Sequence, residues 1–259
     1  MPKLAANLTL MFNEIDFMDR FAAAAKAGFK GVEYLFPYDY DKQALKQKLT
    51  ENKLTQVLFN LPAGNWAGGD RGIGCHPDRV SEFEAGVEQA IDYATTLGCK
   101  QVNCLAGIRK AGRDPMDARE TYIRNLQFAA PRLKAAGIKL LIEAINTRDI
   151  PGFFLTNTAQ ALDIIKAVGS DNVYVQYDIY HMQIMEGDLA PTIERNLKMI
   201  PHMQLADTPG RHEPGTGEIN YPFLLGFIDK LGYNGWIGCE YKPAGRTEDG
   251  LGWMRQYKS

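Results

Sequence analysis

Three carboxylates stand where apolar runs end: Glu143 in KLLIEAIN, Asp178 in VYVQYDIYH and Glu240 in GWIGCEYKP. Short apolar runs of this kind read as buried strands. A carboxylate buried at a strand end is costly unless it is paired or holds a metal ion. One such ending can reach solvent on its own, whereas three point to a shared site. The segment HMQLAD adds Gln204 or Asp207, which face opposite sides of a strand because their numbers differ by three. Oxygen donors from consecutive strands around one point suit a hard divalent cation, Mg²⁺ or Mn²⁺.

Further polar residues cluster near these endings. His181 follows Asp178 by three residues in DIYH, where it could bind a substrate oxygen or orient the site. The segment TPGRHEPGTGEINY carries Arg211, a forked donor suited to a substrate carboxylate, beside His212 and Glu213. Lys242 offers a point charge for the same anion, and a surface ion pair is the ordinary alternative for either cation. Asn7, Asn60 and Asn103 end other strand-like runs, with amides for a polar ligand or for loop backbone. Glu33 repeats the pattern of Glu240 and is expected to support the site from behind. His202 begins its strand and is expected at the opposite end, where it would serve stability.

The elements that must position these groups follow a repeating pattern. AGFKGVEYL (27–35), LGCKQVNCL (97–105), AGIKLLIEA (136–144) and LGYNGWIGCE (231–240) each open with a small or apolar residue and a glycine, then run into an apolar strand. Each follows a stretch of helical periodicity, so the glycine reads as a left-handed helix stop. On this basis strands are predicted at 4–8, 31–35, 54–59, 101–105, 139–143, 173–178, 202–206 and 236–240. Helices are predicted near 16–27, 41–51, 78–97, 116–135, 157–168, 188–199 and 221–231.

Strands alternating with helices form βα units around a parallel sheet. Eight units without a long linker favour one (β/α)₈ TIM-barrel domain over residues 1–259, with a doubly wound open sheet as the alternative. No GxGxxG follows the first strand, which argues against a dinucleotide-binding start. The long glycine-rich segment NLPAGNWAGGDRGIGCHP (60–77) would lie at the barrel mouth, with Trp66 and Arg71 as substrate contacts.

Composition narrows the function classes. The chain is 45% hydrophobic and 23% charged, with a net charge of −2, which argues against a nucleic-acid partner. Cys75, Cys99, Cys104 and Cys239 form no CxxC pair and read as small buried hydrophobes rather than zinc ligands. No apolar run is long enough to span a membrane, and the N-terminal segment lacks a signal-peptide pattern, so the expected location is cytoplasmic. No surface stripe identifies an interface, which leaves a homodimer open.

The segments NLPAGNWAGGDRGIGC, LLIEAINTRDIPGFFLT, VQYDIYHMQIMEGDL, HEPGTGEINYPFL and GWIGCEYKP together resemble the hydroxypyruvate isomerase family of the xylose-isomerase-like barrels. The likeness runs from LAANLTLMF to GLGWM, nearly the whole chain. GEINYP and GCEYKP are shared with the neighbouring 2-oxo-tetronate isomerases. The resemblance implies that Glu143 and Glu240 form a catalytic acid/base pair. It also implies that Glu143, Asp178, Gln204 and Glu240 surround a divalent metal. Distant sugar epimerases carry histidine where Gln204 stands, and a neutral amide is the poorer ligand. The expected reaction interconverts hydroxypyruvate and tartronate semialdehyde through an enediolate. A histidine-rich, multi-zinc nuclease on the same barrel and a non-catalytic sugar-acid sensor are the rival classes.

Overall fold

The computed structural model describes residues 2–257 apart from 110, 111 and 113. All eight expected strands are present: β1 Lys3–Asn7, β2 Gly31–Glu33, β3 Thr55–Leu58, β4 Gln101–Asn103, β5 Lys139–Glu143, β6 Val173–Asp178, β7 His202–Leu205 and β8 Trp236–Cys239. Every pairing is parallel, in the order β3-β2-β1-β8-β7-β6-β5-β4. The pairing of β1 with β8 excludes the open doubly wound sheet. The ring meets between β3 and β4, where Asn103 N–H donates to Phe59 O (3.0 Å) and Leu61 N–H donates to Asn103 O (2.8 Å). The strands are nearly continuous buried runs because they face side chains inside the ring and helices outside it.

The helices are α1 Arg20–Lys26, α2 Lys42–Glu51, α3 Val80–Leu97, α4 Pro115–Ala135, α5 Thr158–Val168, α6 Ile179–Met185, α7 Leu189–Asn196 and α8 Tyr221–Lys230. Gly28, Gly98, Gly137 and Gly232 have φ of 97°, 70°, 71° and 75°, the left-handed stop expected of them. Helix α6 is not among the helices expected from the sequence. It is seven residues long, too short for a clear helical period. Its start is fixed by Asp178, whose Oδ1 accepts from Tyr180 N–H (2.8 Å) and His181 N–H (3.3 Å). A run of 3₁₀ turns over Thr247–Tyr257 is likewise unanticipated.

Among the described residues, no helix is long and apolar enough to cross a membrane. All four cysteines are buried free thiols.

Register aligns the polar strand ends. Glu143 pairs with Gln176, Asp178 with Gln204, and Gln204 with Gly238, so Glu240 continues β8 two residues past the level of Gln204.

Candidate active site

The strand ends of β5, β6 and β8 converge on one buried cluster. Ligand atoms of Glu143, Asp178, His181 and Glu240 all lie within 4.8 Å of one another, and the four residues are 1–6% exposed. Glu143 Oε2 accepts from Asn103 Nδ2 (2.9 Å), and Asn103 Nδ2 also reaches Asn60 Oδ1 (3.0 Å). Asn7 Nδ2 lies 3.4 Å from Glu240 Oε1. Asn7 and Asn103 therefore contact the carboxylates directly, while Asn60 holds Asn103. Asp178 splits its work: Oδ1 caps α6, while Oδ2 is buried without a hydrogen-bond partner.

Crowding away from water raises the proton affinity of the two glutamates. Burial, then repulsion from Glu240 and Asp178, holds the Glu143 pKa well above the usual carboxylate range. Burial pushes Glu240 up to about 8 against the opposing pull of Arg211, with Asp178 and Glu33 adding repulsion.

His181 is held in one tautomer. Asn146 N–H approaches Nδ1 at 3.4 Å and Asn146 Nδ2 approaches it at 2.6 Å. The Asn146 amide is oriented by Asp149 N–H, which donates to its Oδ1 (2.7 Å). Nδ1 is therefore the acceptor, and a neutral ring carries its proton on Nε2, 3.5 Å from Asp178 Oδ2. Burial lowers the His181 pKa to about 4, so the ring is neutral at physiological pH.

Arg211 enters from the loop after β7. Its Nη2 is 3.0 Å from Glu240 Oε2 and 4.0 Å from Asp178 Oδ2, and its Nη1 is 3.4 Å from Asp149 Oδ2. The guanidinium lies over the Tyr180 ring at 5.0 Å. Asp207 builds that loop: its carboxylate accepts from the backbone N–H groups of Thr208, Gly215, Gly217 and Ile219. Of the two residues left open in HMQLAD, Gln204 is therefore the one facing the barrel interior. Its Nε2 donates to Glu33 Oε1 (2.8 Å) and its Oε1 accepts from Gln176 Nε2 (2.6 Å).

The remaining candidates sit further out. Trp66 packs edge-on against Phe36 at 5.0 Å between ring centroids. Arg71 lies 4.5 Å over the Trp66 ring and donates to the carbonyls of Trp66 and Asp70. These two residues stabilise the 60–77 loop against each other, and neither lines the narrow cavity of about 10 Å³ that is bordered by Glu143, Gln204 and Glu240. Lys242 has an exposed side chain, and its backbone N–H donates to Arg211 O (2.8 Å). His202 departs from its expected place. It starts β7, yet its Nε2 lies 2.8 Å from Glu33 Oε2 beneath the site, because the side chain points into the ring. Asn146, Asp149, Gln176 and Tyr180 were not singled out from sequence. Only Gln176 carried a signal, since it stands two residues before Asp178 on the same strand face.

The donor set fits a hard divalent cation. Three buried carboxyl groups bring hard oxygen ligands to one point, and Asp178 Oδ2 has no hydrogen-bond partner. An amide oxygen has two lone pairs, so Gln204 Oε1 keeps one free beyond the bond from Gln176.

Residues 21–257 match the family described as xylose isomerase-like TIM barrel. The chain is 53% identical to hydroxypyruvate isomerase of Escherichia coli K12 over 258 residues, covering 100% of both chains. It is 48% identical to 2-oxo-tetronate isomerase of Cupriavidus necator over 257 residues, covering 99% of both. A solved structure from Brucella melitensis described as an AP endonuclease of family 2 superposes with a TM-score of 0.97 at 46% identity, covering 100% of both chains.

Proposed function

The chain belongs to the xylose isomerase-like TIM barrel family, and we propose that it is the isomerase that interconverts hydroxypyruvate and 2-hydroxy-3-oxopropanoate (tartronate semialdehyde), with the whole chain as one catalytic domain. It is an isomerase of small hydroxy-oxo acids, in keeping with full-length identities of 53% and 48% to two such enzymes. The observation that carries the mechanism is the pairing of Glu143 and Glu240 across one buried cavity, both with raised proton affinity.

Isomerisation moves one proton from C3 to C2 of hydroxypyruvate, with a hydroxyl proton passing from O3 to O2. Two carboxyls crowded together share protons, so one is ionised while its neighbour keeps its proton. The ionised glutamate removes the C3 proton, and the resulting enediolate is planar. The protonated glutamate delivers a proton to C2, and the pair ends with its roles exchanged. The order of the two residues follows from which face the substrate presents to each. His181, whose Nε2–H stands 3.5 Å from Asp178 Oδ2 within the cluster, is a neutral donor for a substrate oxygen and does not compete as a base. Arg211 meets the anionic end of the substrate.

Glu143, Asp178, Gln204 and Glu240 would hold the divalent cation, Mg²⁺ or Mn²⁺. Once bound, such an ion polarises the carbonyl and hydroxyl oxygens and stabilises the charge that develops there.

The test is proton NMR of the purified protein with hydroxypyruvate in D₂O, with and without EDTA. The expected result is tartronate semialdehyde with deuterium at the exchanged carbon, lost on chelation. Inertness toward hydroxypyruvate with Mn²⁺ present, combined with turnover of 2-oxo-tetronates, would transfer the assignment to the second substrate. That alternative is supported by the 48% relationship. A nuclease reading has less behind it, since the carboxylate cluster contains a single histidine and the chain carries a net charge of −2.

A further inference from the structure

Beneath the cluster lies a second, deeper carboxylate that the reaction does not use. Glu33 ends β2, is 1% exposed, and points into the ring toward β7 and β8. Its Oε1 accepts from Asn7 Nδ2 (3.0 Å) and Gln204 Nε2 (2.8 Å), and His202 Nε2 stands 2.8 Å from its Oε2. The space it occupies is reserved for it. A β-carbon at Gly238 on β8 would fall within contact distance of both Glu33 oxygens, so glycine at that position makes room for the carboxylate.

The order of donors and acceptors in this network is forced from one end. A backbone N–H can only donate, and Thr9 N–H donates to Asn7 Oδ1 (3.1 Å). The Asn7 amide is thereby oriented with Nδ2 toward Glu33. Glu33 Oε1 accepts from Asn7 Nδ2 and is therefore an acceptor for Gln204 as well, so the Gln204 amide turns its nitrogen to Glu33 and its oxygen away. Gln176 Nε2 then donates to that oxygen (2.6 Å). A primary amide with no such constraint could present either end to the cavity, and its nitrogen is no metal ligand.

We propose that Glu33 is a positioning residue. Its carboxylate fixes the rotamer of the Gln204 amide so that the carbonyl oxygen, not the nitrogen, is the atom offered to a divalent cation. This rests on the reading above that Gln204 is a metal ligand. A carboxylate at that place would need no partner of this kind, because either of its oxygens can ligate. Glutamine does need one, and Glu33 with Gly238 supplies it.

The test is a double-mutant cycle read by Mn²⁺ affinity in titration calorimetry, independent of turnover. Glu33→Gln in the native background is expected to weaken Mn²⁺ binding by about 10–100-fold, the usual effect of losing a partner that orients a ligand. In a Gln204→Glu background, where either oxygen can ligate, the same Glu33→Gln change is expected to cost nothing or to strengthen binding. An equal loss in both backgrounds would mean that Glu33 acts by its charge alone, and would overturn the proposal. Gln204→Leu separates the two readings. If it leaves Mn²⁺ affinity unchanged, the ligand assignment falls and the proposal with it. If it weakens binding while a folded Glu33→Gln does not, the positioning role alone falls.

One measurement needs no variant, should Glu33→Gln not fold. In protein labelled at glutamine side chains, Mg²⁺ is expected to shift the Gln204 carbonyl carbon while its amide protons stay protected from exchange. Loss of that protection on Mg²⁺ binding would show the amide leaving Glu33, contrary to the proposal.

Discussion

Arg211 Nη2 lies 3.0 Å from Glu240 Oε2, so the principal cation of the site is paired with one of its two acid/base candidates. The pairing is built by an unusual backbone. Arg211 has φ of 55°, a left-handed conformation that costs a non-glycine residue about 1–2 kcal/mol. The Lys242 N–H bond to Arg211 O and the Asp207 N–H bond to His212 O hold it there. The guanidinium thus limits how far burial can raise the Glu240 pKa.

Arg211→Met is expected to raise the Glu240 pKa further above about 8. A higher pKa keeps Glu240 protonated to higher pH, so the limb of kcat/KM that reports its ionisation shifts toward alkaline pH. Losing a charged hydrogen bond worth about 1.5–3 kcal/mol lowers kcat/KM by about 10–150-fold at the original optimum. A pH–rate profile of the variant checks both, and an unmoved limb would separate Glu240 from the titration.

Glu143→Gln and Glu240→Gln are each expected to lower turnover by about 10²–10⁴-fold with the fold retained. Circular dichroism and solvent deuterium exchange at the substrate carbons make the comparison. A folded variant of either kind with near-native exchange would remove that glutamate from the mechanism.

Metal-free protein is expected to lose stability as pH rises. Glu143 and Glu240 have folded-state pKa values raised above their unfolded ones, so the folded state binds more protons between the two values. Their contribution is fully present below the ordinary glutamate pKa and is lost as pH climbs through about 8 for Glu240. Thermal unfolding in EDTA should therefore fall across this window from these two groups. Added Mn²⁺ should raise the Tm most at the alkaline end, where it no longer competes with protons. A Tm increment from Mn²⁺ that is independent of pH would contradict the carboxylate site.

Gly238→Ala is expected to destabilise the protein by about 1–3 kcal/mol, because the added methyl group meets the Glu33 carboxylate in a closed interior. Denaturant unfolding measures the loss. Native stability in this variant would show that β8 can shift to accommodate the methyl group.

The barrel was legible in the sequence because its signals are local. A glycine that stops a helix and an apolar run that follows it are both set within about ten residues, and the strand bounds drawn from them agree with the structure to within two residues at each end. Helix α6 escaped for the same reason: its start depends on the Asp178 side chain folding back on its own backbone, and its seven residues are too few to show a period. Glu143, Asp178 and Glu240 were visible as charges at the ends of apolar strands, an energetic anomaly that needs no neighbour to be noticed.

What surrounds those carboxylates depended on residues far apart in the chain. Glu33 and Gln204 are separated by 171 positions and touch only because β2 and β7 point side chains into the same ring. The same closure brought His202 against Glu33, although as a strand-opening residue it read as belonging to the far end. Trp66, Arg71 and Lys242 have the right chemistry for a substrate, but side-chain type does not fix direction. The fold turned the first two onto each other and left Lys242 facing solvent. Sequence by itself determined which strands form and which of them end in charge. Only the tertiary structure decided which charges meet, because burial, mutual repulsion and donor order arise once the ring has closed.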